Sequence, residues 1–205
     1  MIELDKAGGV WTATLNRPEK ANALTEAMLT RLAEIAEQAG QPGGARVLIL
    51  TGAGKVFSAG ADLDAMGEGL ATSPVWERLS SAIAALPGLS IAALNGTVAG
   101  GAIGMALACD LRVAATGAEV FYPVMKRGFL PQPSDPARLS ALIGPARAKL
   151  ILLAGQRINT ETALAWGLYD RIAEPGALMD AAHELAEPVL AATFEHAAAI
   201  KRLIP

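Results

Sequence analysis

The sequence predicts an α/β core followed by a helix-rich C-terminal region, on three observations. Short apolar runs bounded by turn residues alternate with stretches of helical spacing through the first two thirds of the chain. The last third carries helical spacing, punctuated by Gly and Pro. Hydrophobic residues make up 52% of the 205 and charged residues only 18%, a balance that packs into a core rather than staying disordered. A chain of this length buries roughly 70% of its unfolded surface. One large domain with a second small lobe is therefore expected, divided here into 1–135 and 136–205.

In chain order, Val10 to Leu15 alternates at period two and reads as a strand stopped by Asn16-Arg17-Pro18. Leu24, Met28, Leu32, Ile35 and Ala39 then recur at three and four, which gives one apolar helix face. Thr25 is placed to cap that helix, with Glu26 where the dipole favours an anion and Gly40 to stop it. Val47-Leu48-Ile49-Leu50 is a continuous apolar run, typical of a strand covered on both faces. A helix is expected over 75–86, a buried strand over 90–94, a small-residue buried helix over 100–108 and a strand over 111–114. Further helices are expected over 137–143, 146–154 and 160–166, and Leu178, Ala182, Leu185, Val189 and Ala192 make one last helical stripe. No repeat of fixed period and no low-complexity linker occurs.

Several function classes are excluded at this level. A net charge of −3 leaves no basic footprint for nucleic acid. The single cysteine, Cys109, excludes an internal disulfide and cysteine-rich metal motifs, and it reads as a small buried apolar residue; no metal site is expected. No apolar run reaches the roughly 18 residues that span a bilayer, since Asn95 and several glycines interrupt 91–108. The first residues lack the blocks of a signal peptide, so a soluble, cytoplasmic protein is expected.

Two small-residue stretches, each after a buried strand, carry the chemistry. In Ser58-Ala59-Gly60-Ala61-Asp62 no side chain is bulky enough to keep a ligand from the backbone. Gly100-Gly101-Ala102 opens a helix whose first N–H groups have no intrahelical partner and favour negative charge. Two such donors converging on a carbonyl oxygen make an oxyanion hole. The alternative reading is close packing by glycine. A dinucleotide loop is rejected, because the run is not G-x-G-x-x-G and no acidic residue follows at the required distance.

Four blocks, in order, resemble the crotonase (enoyl-CoA hydratase/isomerase) superfamily. Leu15-Asn16-Arg17-Pro18-Glu19-Lys20-Ala21-Asn22-Ala23-Leu24 is similar to its LNRPEKxNAL signature, and residues 47–63 to its VxLTGxGKxFxAGADL block. Residues 95–110 resemble NGxxxGGGxxLAxxCD without a gap, and residues 152–168 the later LxGxxIxAxxAxxxGLV block. The resemblance implies a crotonase spiral of ββα units with a helical C-terminal region. It also implies oxyanion N–H groups at Ala61 and Gly101. Contacts to an acyl-CoA or acyl-carrier thioester are implied at Lys20, Ala21, Ala23, Ser58, Ala59, Ala61, Asp62, Leu63 and Asp64. Coenzyme A is then part of the substrate, with no permanently bound cofactor.

Hydration needs carboxyl groups to hold water and move its protons. The resemblance puts the family's two glutamates at Gly104 and Val124, and neither residue can transfer a proton. Glu119, five residues before the second position, reads as a surface strand residue. Residues 130–136 carry three prolines in place of a glycine-rich turn, and Asp135 there reads as a helix cap in preference to a catalytic acid. Tyr122 reads either as a hydrogen-bond or proton donor beside the lost position or as a half-buried strand tyrosine. Asp62 reads as a brace of its own loop, and Asp64, Glu68 and Glu77 as solvated helix acids that could face the acyl end. His183 and His196 sit near no catalytic segment. The C-terminal part is short for the resembled family, so the expected homotrimer or hexamer is weakened. The resulting expectation is a thioester-binding, enolate-stabilising family protein that is not a standard hydratase; the alternatives are a malonyl-type acyl-CoA decarboxylase or a non-catalytic subunit of the same fold.

Overall fold

A computed structural model describes residues 1–67 and 69–204. β1 (Ile2–Ala7) and β2 (Val10–Leu15) form an antiparallel hairpin about Gly8 and Gly9, both at positive φ. β1 has no counterpart in the sequence reading. It is an edge strand whose alternation spans only Ile2 to Asp5, with Ile2 and Leu4 packed on the core and the remaining residues exposed, so its apolar period is short. α1 (Glu26–Ala39) follows, with the Thr25 hydroxyl accepting from Met28 N–H at 3.3 Å, which is the predicted cap. Its predicted stripe, Met28, Leu32, Ile35 and Ala39, is buried together with Leu24.

β3 (Val47–Gly52) lies parallel to β2 and is followed by α2 (Leu63–Gly67) and α3 (Val75–Ala84). β4 (Leu89–Leu94), the short β5 (Val98–Ala99) and α4 (Ala102–Ala108) come next, then β6 (Leu111–Ala115), β7 (Val120–Phe121) and α5 (Val124–Arg127). The helices α6 (Asp135–Ile143), α7 (Pro145–Leu152) and α8 (Thr160–Trp166) precede β8 (Arg171–Ala173). α9 (Leu178–Ala191) and α10 (Phe194–Leu203) close the described chain. The last third is not purely helical, because β8 adds to the main sheet beside β6.

The main sheet runs β1-β2-β3-β4-β6-β8, parallel throughout except for the β1/β2 pair. Both faces are covered, as the apolar run in β3 predicts. Leu48 and Leu50 point into the large core with α1, α3 and α4, while Val47 and Ile49 point to a second cluster under α9. Each fully buried Leu or Ile of this kind contributes roughly 2 kcal/mol. α9 turns Leu178, Ala181, Ala182 and Ala186 inward; Leu185 and Val189 of the expected stripe only flank that cluster.

Beyond the carboxyl ends of these strands the chain makes a second, smaller ladder. Leu24 pairs with Ala61, Ser58 with Val98, Val98 and Ala99 with Val120 and Phe121, and Val120 with Ile158. Each turn of the spiral thus contributes one main strand and one short segment. The short segments bring 58–61, 98–101 and 120–124 side by side at the edge of the sheet where α/β folds hold ligands.

Candidate functional site

The loop around Gly60 is tied down residue by residue. Ser58 N–H donates to Thr97 O, Ala59 N–H to Ala21 O, Gly60 N–H to Ser58 Oγ and Asp62 N–H to Leu24 O. Ala61 N–H has no acceptor among the described residues. Gly60 holds φ at 92°, and a Cβ there would meet Ala99 O at 2.8 Å, so only glycine lets the two loops approach this closely. On the facing segment Gly100 N–H donates to Phe121 O, whereas the Gly101 N–H, at the start of α4, finds no acceptor among the described residues. Ala61 and Gly101 line one cavity, whose other walls come from Leu63 and Met66 of α2, Trp76 of α3, and Tyr122 and Val124.

Two asparagines, the buried Asn22 and the half-buried Asn95, brace the loop between β3 and residue 58, a role the sequence reading missed. Asn22, fully buried and at φ 52°, donates to Ala53 O and Val56 O, both at 2.9 Å, and accepts Arg17 N–H. Asn95 donates to Gly54 O and Val56 O and accepts Gly52 N–H. The sequence signal was present in the motifs themselves. A short amide side chain tolerates the left-handed conformation and serves as donor and acceptor at once.

The expected thioester contacts fall into three groups. Ala59, Ala61 and Leu63 line the cavity. Lys20 and Asp64 are exposed, with Ala21 and Ala23 partly so, and none of these four lines the cavity. The side chains of Ser58 and Asp62 are committed internally: Ser58 Oγ donates to Asn22 O, and Asp62 pairs with Arg17 at 2.5 Å and accepts from Asp64 N–H. The Arg17 guanidinium holds the Asp62 carboxyl below the usual carboxylate range, aided by the backbone N–H groups of Asp64 and Ala65. Asp62 is thus the brace that was expected. Glu68 lies outside the described residues.

Val124 is buried at the cavity wall, and Gly104 is buried within α4. What covers Gly104 corrects the reading of Asp135. Asp135 is not the cap of α6: Ser134 holds that position, and the Glu77 carboxylate accepts both its N–H and its hydroxyl. Glu77 is accordingly a brace of α6, not a solvated acid. The Asp135 side chain turns inward, 1% exposed, and lies over Gly104 so that a Cβ on that glycine would stand 2.6 Å from Oδ1. Tyr122 is not half-buried but 4% exposed. Its hydroxyl donates to Asp135 Oδ2 at 2.9 Å and accepts Gln132 N–H at 3.3 Å. Asp135 Oδ1 has no hydrogen-bond partner among the described residues. Glu119 behaves as expected for a surface residue, paired with the exposed Arg157. His183 and His196 are exposed on α9 and α10.

Burial is the main cause that pushes the Asp135 carboxyl up to about 7, with the nearby Glu77 adding to the rise while Tyr122 and Arg138 oppose it. Burial, with Asp135 beside it, also pushes the Tyr122 hydroxyl up. An acid whose folded pKa is raised binds its proton more tightly in the folded state. Its contribution is complete below the unfolded carboxylate range and is lost as pH rises through about 7. Urea unfolding between pH 4 and pH 8 should therefore show stability falling toward pH 8, and Asp135→Asn should flatten that fall. An identical slope in the variant would show that Asp135 is not its source.

Burial likewise pushes the Cys109 thiol up to about 12, consistent with an inert packing role. Among the described residues no group of three His, Cys, Asp or Glu side chains is placed to hold a metal ion, and no helix is long and apolar enough to cross a membrane.

Residues 5–204 match the family model for enoyl-CoA hydratase/isomerase. The chain is 38% identical over 184 residues to the putative enoyl-CoA hydratase/isomerase YngF of Bacillus subtilis, spanning 87% of this chain and 71% of that one. It is 36% identical, also over 184 residues, to the probable enoyl-CoA hydratase echA6 of Mycobacterium leprae, spanning 88% of this chain and 73% of the other. The crystal structure of an enoyl-CoA hydratase from Bacillus anthracis superposes with a TM-score of 0.92 at 32% identity, covering 99% of this chain and 81% of that one. The spiral of paired ladders, the two small-residue loops meeting at one cavity and these likenesses converge: the chain belongs to the enoyl-CoA hydratase/isomerase family of the crotonase superfamily.

Proposed function

We propose that the protein binds an acyl-CoA-type thioester in the cavity and stabilises its enolate through the N–H groups of Ala61 and Gly101, without acting as a standard hydratase. One observation carries this reading. Ala61 and Gly101, whose backbone N–H groups find no acceptor among the described residues, line the same cavity on adjacent segments. Such donors hold the negative charge that develops on a thioester oxygen, and each is typically worth about 3–4 kcal/mol in the transition state. The second half of the proposal rests on Gly104 and Val124, which cannot hold water or move its protons. Self-association belongs to the same reading, supported by exposed apolar residues such as Leu153 and Leu203.

Within this reading, decarboxylation of a malonyl-type thioester is favoured by Arg127. This exposed cation lines the cavity and could meet an acyl carboxylate. Loss of carbon dioxide leaves an enolate, which needs the oxyanion donors and a proton source but no carboxylate base. Mass-spectrometric assay against crotonyl-CoA and methylmalonyl-CoA tests both halves. The expected result is no hydration of crotonyl-CoA at ordinary hydratase rates and conversion of methylmalonyl-CoA. Rapid crotonyl-CoA hydration would overturn the claim that Gly104 and Val124 disable that reaction. Binding of both thioesters with conversion of neither would favour a non-catalytic subunit of the same fold.

A further inference from the structure

We infer that Tyr122 and Asp135 form a proton relay serving the acyl α-carbon, with Tyr122 as the catalytic residue and Asp135 as the positioning residue that stores the proton behind it. The inference rests on the thioester-binding reading and supplies the acid–base function that Gly104 and Val124 lack. Three geometric facts carry it. Asp135 Oδ1 lies 2.6 Å from where the Cβ of any side chain at position 104 would stand, so a carboxyl group from α6 is packed against the position that lacks one. Its other oxygen is 2.9 Å from the Tyr122 hydroxyl, and Tyr122 shares the cavity wall with Gly101 and Ala61. Oδ1 is buried without a partner among the described residues, an arrangement that costs stability and fits a group kept for its chemistry.

The step balances without any added reactant. An α C–H bond of the bound thioester breaks, and its electron pair moves to the thioester oxygen facing the Ala61 and Gly101 N–H groups. The proton passes to Tyr122 Oη as the proton of Tyr122 passes to the Asp135 carboxylate. A tyrosinate, which burial strongly disfavours, never forms. The reverse step returns a proton to the carbon from Tyr122 while Asp135 refills the hydroxyl. Glu77 of α3 and Arg138 of α6 also face Asp135, and α4 brings no charge to it. Near neutral pH both forms of Asp135 are populated, so the relay runs in either direction.

Exchange of the α-protons of butyryl-CoA in deuterium oxide, followed by proton NMR, tests the relay, with calorimetric titration of butyryl-CoA run beside it. The wild-type protein should bind and exchange, at a rate that rises as pH climbs through about 7. Tyr122→Phe should bind equally well yet exchange about 100-fold more slowly. Asp135→Asn should also bind and be slowed, and its exchange should lose the rise near neutral pH. Wild-type exchange by Tyr122→Phe, a retained pH rise in Asp135→Asn, or binding without exchange by the wild type would each overturn the relay. Failure of the wild type to bind butyryl-CoA at all would instead overturn the thioester reading beneath it, and calorimetry alone detects that.

Discussion

Gly101→Pro is expected to abolish the chemistry of this protein while Gly101→Ala retains most of it. Gly101 has φ −59° and ψ −19°, a conformation that proline adopts without strain, and Gly100 before it is unhindered by a side chain of its own. The substitution removes one N–H and nothing else from the backbone. Both variants add a Cβ that meets the Trp76 ring at 3.0 Å, so both carry that packing cost, and proline adds its ring Cγ and Cδ to it. Only the proline loses the donor. The difference between the two therefore reads the lost donor together with the ring Cδ that takes its place, and removal of one oxyanion donor typically costs about 100- to 1,000-fold in turnover. Butyryl-CoA exchange rates, set against urea midpoints for the same two variants, read the two effects separately. Equal activity in the proline and alanine variants would remove Gly101 N–H from the mechanism.

Gly104→Glu, the substitution that puts a carboxyl where the family resemblance expects one, is predicted to destabilise the protein by about 3 kcal/mol or more. A Cβ at 104 would stand 2.6 Å from Asp135 Oδ1 and 3.2 Å from Oδ2. Asp135 cannot move aside cheaply, because its side chain is short, buried and held by Tyr122. A glutamate would also place a second carboxyl against one that is already starved of solvent. The cost should fall sharply when Asp135→Gly is introduced with it, since the obstructing group is then gone. Urea unfolding of the wild type, both single variants and the double variant gives the coupling, expected to exceed about 1 kcal/mol for residues in direct contact. Additive costs would show that Asp135 does not occupy the space over Gly104.

Local pattern made much of this fold legible. The Thr25 cap, the buried face of α1 and the two-sided burial of β3 were all readable because each depends on residues within a few positions of one another. Elements without such a pattern stayed hidden. β1 alternates only from Ile2 to Asp5 and exposes the rest, and β8 is three residues long with an exposed start, so neither carries an apolar period long enough to stand out. In the site, the small residues of both loops marked where backbone could meet a ligand. The partners of their neighbours were not legible. Asn22, Asn95 and Ser58 bond across tens of residues, and Glu77 reaches Ser134 only because α3 packs beside the start of α6.

The sequence by itself determined that two small-residue loops follow buried strands, and that positions 104 and 124 bear no acid. Glycine content and side-chain chemistry are properties of the residues alone, whatever the chain does elsewhere. Only the tertiary structure decided which acid stands over Gly104. Asp135 reads locally as a cap, and a cap faces solvent and backbone N–H groups. Packing of α6 against α4 turned it inward instead, because an uncovered glycine leaves a volume that a close-packed interior fills, and a buried carboxyl then needs the Tyr122 hydroxyl.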